Sequence, residues 1–299
     1  MYGLFVGTRV ALVWFMCATV PSSSAYVVDS VPLAQRTAQL SRLGAASQIG
    51  TMLGPAFAAF VVFGFLAPLI IHATFTLLMV ALVVLFLPES PKLFEQAVVT
   101  SRLRYFDPRY RSYILVSLVC FTMLGMVQMT LGFYFEDRLG LSRDEAVMQF
   151  SMAMVASSSA MLFSQLVLVQ RWRGHPLRLL QGGLPLVCCG YLLIANATQT
   201  TFLLSGMALF GFGMGLATPG FMVTPTLVVA PHEQGALAGI NSSIPAMGLV
   251  FGPLAGGFLY KFSPGSIYWL AAGVIALLWV YSLLLKKPNP YISDTEPSQ

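Results

Sequence analysis

Residues 247–253 read MGLVFGP and residues 49–55 read IGTMLGP, so the pattern G-x-x-x-G-P occurs twice, about 200 residues apart. Both copies lie in long apolar stretches, and a repeat of this length in an apolar chain is typical of two homologous helical bundles. Glycines four residues apart share one helix face and allow a second backbone to approach closely. The proline that follows can bend the helix. The repeat therefore predicts closely packed membrane helices.

The composition independently indicates a membrane protein. Of the 299 residues 57% are hydrophobic and only 9% are charged, whereas soluble chains are about 25% charged. Too few polar side chains remain to cover a surface that faces water, which excludes a soluble enzyme. The apolar runs are continuous rather than alternating, so they predict helices and not a β-barrel.

The apolar runs predict an all-α protein with nine transmembrane helices. They span residues 3–28, 41–63, 66–87, 111–135, 144–170, 176–196, 201–229, 235–260 and 266–285. The only long connection, 88–110, is basic and predicts a linker between a partial N-terminal bundle, 1–87, and a six-helix bundle, 111–287. The polar tail, 288–299, is expected to be disordered.

The positions of Lys and Arg predict the orientation. Placing the linker 88–110 in the cytoplasm puts twelve of the sixteen Lys and Arg on that side and three on the other. Cytoplasmic loops carry such an excess. We therefore expect a multi-pass protein of the inner or plasma membrane with a cytoplasmic C-terminus. The net charge of +5 follows from these loops, so no nucleic-acid partner is expected.

Motifs for catalysis or cofactor binding are missing from the sequence. No GxSxG, HExxH or P-loop pattern occurs, and the four cysteines show no CxxC spacing. We therefore expect no enzyme activity, no cofactor and no metal.

Two bundles, a basic central linker and G-x-x-x-G-P in the fifth helix of a bundle together resemble the major facilitator superfamily. Residues 248–257 read G-x-x-x-G-P-x-x-G-G, which resembles the motif of the antiporters in that family. The resemblance implies a twelve-helix fold of which this chain carries helices four to twelve and lacks the first three. It implies a monomeric antiporter that exchanges protons for small amphipathic molecules or drugs by alternating access. The alternatives are an uptake symporter or facilitator of a small metabolite, and a truncated inactive remnant.

In the fold that the resemblance implies, the first, fourth, seventh and tenth helices line the substrate cavity. The candidates for substrate binding are Arg9, Trp14, Gln48, Met126, Gln128, Phe210, Met214 and Asn241. Such a soft apolar lining with a few amides suits amphipathic substrates. Met and aromatic side chains on membrane helices also face lipid or a neighbouring helix. Arg9 could hold an anionic group, or it could extend to the membrane interface.

The remaining candidates concern gating and proton coupling. The gating candidates are Asp29, Arg36, Gly50, Gly54, Pro55, Gly248, Gly252 and Pro253. The resemblance makes Asp29 the partner of a basic loop residue, while the glycines and prolines could equally serve close packing alone. His72 could carry the coupling proton, although a neutral histidine bonded to a neighbouring helix is the favoured alternative. The run of glycines at 211, 213 and 215, together with Pro219 and Pro225, predicts a flexible or broken helix that could act as a gate.

Overall fold

Seven helices among the described residues are long and apolar enough to cross a bilayer. The structure is a computed structural model that describes residues 66–88, 103–230 and 233–285, together with scattered positions before residue 66. The helices are α1 Ala67–Phe86, α2 Arg111–Leu139, α3 Arg143–Phe163, α4 Pro176–Ala195, α5 Thr200–Val223, α6 Gln234–Tyr260 and α7 Ser266–Leu284. They coincide with seven of the predicted helices. The predicted helices 3–28 and 41–63 lie largely outside the described residues.

The chain divides into two units, one of residues 1–49 with 72–100 and one of residues 50–71 with 101–299. Helices α2–α7 all belong to the second unit, and they enclose a single apolar core. Within this unit α6 packs along α2, while α5 packs between α3 and α4. These three pairings position the site described below.

Local signals explain where these helices begin and end. Helix α2 runs four residues past its predicted end at 135, because the polar turn after it remains helical until Gly140, which adopts a left-handed conformation with φ 62°. Helix α3 begins with a capping box, in which the Ser142 hydroxyl accepts a hydrogen bond from the Glu145 amide and the Glu145 carboxylate accepts one from the Ser142 amide. Its last turn continues as a π-helix, Ser164–Val169.

Helix α5 is continuous through its glycines and through Pro219, so it is not broken within Thr200–Val223, and its flexibility stays a prediction. These glycines serve close packing. A Cβ atom on Gly213 would lie 2.7 Å from the Val187 amide nitrogen of α4, and one on Gly211 would overlap the Ser157 carbonyl oxygen of α3. The helix changes only at its end, where Thr224–Leu227 form a 3-10 turn that contains Pro225.

Candidate functional site

Three glycines of α6 lie against the middle of α2. Gly248, Gly252 and Gly256 are spaced by four residues and therefore share one helix face. A Cβ atom on Gly248 would lie 2.6 Å from Phe121 Cβ, and one on Gly252 would lie 2.6 Å from the Met126 amide nitrogen. We call this contact, between Gly248, Gly252 and Gly256 of α6 and residues 121–126 of α2, the glycine seam. The sequence predicted the close approach at Gly248 and Gly252, and the structure extends it to Gly256.

The proline of the motif also contacts α2. Helix α6 is continuous through Pro253, and a Cβ atom on Gly125 of α2 would lie 3.2 Å from Pro253 Cδ and 3.3 Å from Leu249 Cα. Gly125 therefore gives the proline ring the space that it needs. Sequence reasoning missed Gly125, because a single glycine in α2 forms no repeat that would distinguish it.

An ionic cluster ties the chain before α2 to the chain before α6. Arg109 donates two hydrogen bonds to the Glu233 carboxylate, at 2.8 and 3.0 Å, and its guanidinium also lies 2.9 Å from Asp107 Oδ2. The hydrogen bond from Arg109 lowers the pKa of Asp107, and the hydrogen bonds to Glu233 and then Asp107 raise the pKa of Arg109. The sequence had assigned Arg109 only to the basic linker, since nothing in it relates Arg109 to Glu233.

Further polar contacts attach the same region to α6 and α5. The Tyr105 and Ser243 hydroxyls lie 3.3 Å apart, and the Asn241 amide donates a hydrogen bond of 3.0 Å to the Met222 carbonyl at the end of α5. The predicted substrate residue Asn241 therefore has a structural partner. The start of α6 is held both by charges and by neutral hydrogen bonds.

Three other substrate candidates are core residues in this structure. Met126, Phe210 and Met214 are 1%, 4% and 3% exposed. Met126 packs against Gly252 and Gly256 in the glycine seam, and the Phe210 ring lies 5.1 Å from the Tyr191 ring. Gln128 of α2 is half-buried. A substrate role for these residues stays a prediction.

A family model described as Major Facilitator Superfamily matches residues 1–246. The chain belongs to the Major Facilitator Superfamily. Members of this superfamily are transporters rather than enzymes, so the chain is a multi-pass membrane protein of a transporter family.

Relatives of this superfamily member include named resistance proteins. It is 27% identical over 281 residues to Multidrug resistance protein 1 of Bacillus subtilis, which covers 90% of this chain and 69% of the relative. It is 24% identical over 290 residues to the class D tetracycline resistance protein of Salmonella ordonez, covering 91% and 71%. In fold it is similar to the crystal structure of the human organic anion transporter MFSD10, with a TM-score of 0.62, 20% identity and coverage of 88% and 67%.

Seven of the N-terminal candidates of this superfamily member lie outside the described residues. These are Arg9, Trp14, Asp29, Arg36, Gln48, Gly54 and Pro55. A Cβ atom on Gly50 would meet nothing within 4 Å. His72 is an exposed residue of α1, and its carbonyl accepts a hydrogen bond of 2.9 Å from the Thr76 hydroxyl. The gating and proton-coupling roles stay predictions.

Proposed function

We propose that the chain is a secondary active transporter that exports small amphipathic molecules in exchange for protons by alternating access. The names of the bacterial relatives, multidrug and tetracycline resistance proteins, support this class of substrate. We further propose a partial N-terminal bundle at 1–87, a cytoplasmic linker at 88–110 and a six-helix bundle at 111–287, with the C-terminus in the cytoplasm. The transporter acts as a monomer.

The glycine seam is the observation that carries the proposal. Alternating access moves one helical bundle against another as a rigid body, so helices within a bundle must not separate during the cycle. Backbone contact between α2 and α6 at Gly248, Gly252 and Gly256 brings many atoms together along about two turns. We propose that the same close contact hinders ions from passing between these helices. Both consequences suit an antiporter, in which a leak would dissipate the proton gradient.

The experiment is export of ethidium, a fluorescent amphipathic cation, from preloaded bacterial cells that express the full chain. We expect faster loss of ethidium than from cells with an empty vector, and a protonophore should abolish the difference. Uptake of ethidium that is driven by an inward proton gradient would show that the chain is a symporter rather than an exporter. Equal ethidium loss from both kinds of cell, with the protein present in the membrane, would contradict the proposal.

A matched pair of substitutions tests the seam itself. Gly252→Ala introduces a methyl group that would overlap the Thr122 carbonyl oxygen, while the same change at Gly257 meets nothing within 4 Å. Overpacking typically costs about 1–3 kcal/mol of stability. We expect Gly252→Ala to lower the export rate, because the overlap must displace α6 from α2. Gly257→Ala should stay within about twofold of the unchanged chain. Equal export rates for the two variants, at equal membrane levels, would show that the glycine seam has no part in transport.

A further inference from the structure

A cavity of about 480 Å³ opens at the end of the bundle where α2 and α4 end and α7 begins. Its lining residues are Tyr134, Asp137, Arg138, Ala195, Ser263, Pro264, Gly265, Ser266 and Trp269. All of them belong to the second unit. Because these positions are the ends of membrane-spanning helices, the cavity lies at the level of the lipid headgroups. Its volume is within the range of ligand sites, roughly 300–1,000 Å³.

One positive and one negative side chain stand next to each other in this cavity. Arg138 is exposed, and its Nε donates a hydrogen bond of 3.3 Å to the Ala197 carbonyl. Neither ion pair found in the described part of the chain includes Arg138, so its terminal amino groups are available to a ligand. The Asp137 carboxylate accepts a hydrogen bond from the Tyr260 hydroxyl. Asp137 would repel a purely anionic ligand, and Arg138 would repel a purely cationic one.

Two aromatic side chains, Tyr134 and Trp269, also line the cavity. The buried Tyr134 hydroxyl donates to the Ile194 and Ala195 carbonyls, at 3.3 Å each, which fixes this ring in the cavity wall. Trp269 is 53% exposed. An exposed indole face attracts an ammonium group, and Trp is enriched at the level of the headgroups.

We propose that this cavity binds the headgroup of a zwitterionic phospholipid, with the phosphate on Arg138 and the ammonium between Asp137 and Trp269. Charge complementarity selects the zwitterion over singly charged ligands. Two apolar side chains next to the cavity residues in sequence, Phe262 and Leu270, are 74% and 44% exposed. They offer an apolar surface to the acyl chains, which favours a lipid over a free zwitterion. The proposal concerns binding and does not depend on transport.

The test is the thermal unfolding of the purified full chain in detergent, titrated with phosphatidylethanolamine, phosphatidylglycerol or glycerophosphoethanolamine. A ligand that binds the folded state raises Tm. We expect phosphatidylethanolamine to raise Tm at a lower concentration than phosphatidylglycerol does. Glycerophosphoethanolamine, which has the headgroup without acyl chains, should bind much more weakly. Equal binding of this soluble headgroup would overturn the assignment to a lipid. A preference for phosphatidylglycerol would overturn the assignment to a zwitterionic headgroup.

Substitutions locate the effect in the cavity. Arg138→Gln should weaken phosphatidylethanolamine binding by about tenfold, because it removes the charge that holds the phosphate. Arg143→Gln, at another exposed arginine near the same end of the bundle, is the matched control and should change nothing. Asp137→Asn should abolish the preference for phosphatidylethanolamine over phosphatidylglycerol while binding persists. If Arg138→Gln and Arg143→Gln give the same titration curve, or if Asp137→Asn keeps the preference, the proposal is wrong.

Discussion

Helices α5 and α6 are both rich in glycine, yet they use it differently. In α5, Gly211 and Gly215 face α3 while Gly206 and Gly213 face α4, so glycines lie on two sides of one helix. In α6, Gly248, Gly252 and Gly256 all face α2, and a Cβ atom on Gly257 would meet nothing within 4 Å. A single glycine face joins one pair of helices, whereas two faces fix a helix between two neighbours. We infer that α5 is the less replaceable of the two.

The largest expected effect is therefore at Gly211 in α5. Gly211→Ala would push a methyl group into the Ser157 carbonyl oxygen, which is backbone and cannot rotate away. Since α4 holds the opposite side of α5, the helix cannot shift to relieve the overlap. We expect a loss of about 3 kcal/mol in the free energy of unfolding, measured by denaturation in detergent.

Gly257→Ala in α6 is the control for that substitution, and its effect should stay within about 0.5 kcal/mol. If Gly211→Ala and Gly257→Ala denature alike, the difference between the two helices does not exist.

A smaller effect is expected in α2, where Gly125 and Gly132 form a matched pair. A Cβ atom on Gly125 would lie 3.2 Å from Pro253 Cδ, but one on Gly132 would meet nothing within 4 Å. The contact at Gly125 is tight rather than overlapping, so α6 must shift by only a few tenths of an ångström. We expect Gly125→Ala to be about 1.5 kcal/mol less stable than Gly132→Ala in the same denaturation measurement. Equal stability would mean that α6 adjusts freely against α2.

The comparison of α5 and α6 also shows what one sequence can predict. Long apolar runs predicted the seven membrane-spanning helices of the described residues, because a span needs about 20 apolar residues. The spacing of Gly248 and Gly252 predicted a close contact, since residues four apart share a helix face. Spacing alone cannot say which neighbour a face meets, so the sequence does not distinguish the closely packed glycines of α5 from a flexible or broken segment.

Contacts between distant parts of the sequence could not be predicted. Arg109 and Glu233 are 124 residues apart, and neither lies in a recognisable motif. The partnership of Gly125 with Pro253 likewise depends on how α2 and α6 pack. The cavity beside Arg138 requires the ends of α2 and α4 and the start of α7 to meet. Each of these features is a product of tertiary packing rather than of a local pattern.

The smallest expected effect distinguishes the charged anchor of α6 from its glycine contact. Arg109→Gln removes the charge that binds both Asp107 and Glu233, and leaves two carboxylates close together. The Arg109 side chain is 40% exposed, so solvent and salt screen these pairs. We expect a loss of about 1 kcal/mol or less near pH 7, which disappears in about 1 M salt, where the Debye length is about 3 Å.

Acid should abolish the same difference in stability, because Asp107 loses its charge at low pH. Arg109 holds the pKa of Asp107 below its ordinary value of 3.8, so the stabilisation is complete above that pH and is lost as the pH falls through the lowered value. Thermal unfolding of the unchanged chain and of Arg109→Gln should therefore differ constantly above about pH 5 and converge only below the lowered pKa of Asp107. The effect of Gly125→Ala should not change over this range, because no titratable group takes part in the contact of Gly125 with Pro253 and Leu249. A difference between the unchanged chain and Arg109→Gln that persists in acid would show that α6 is held at its start by packing, as it is at the glycine seam.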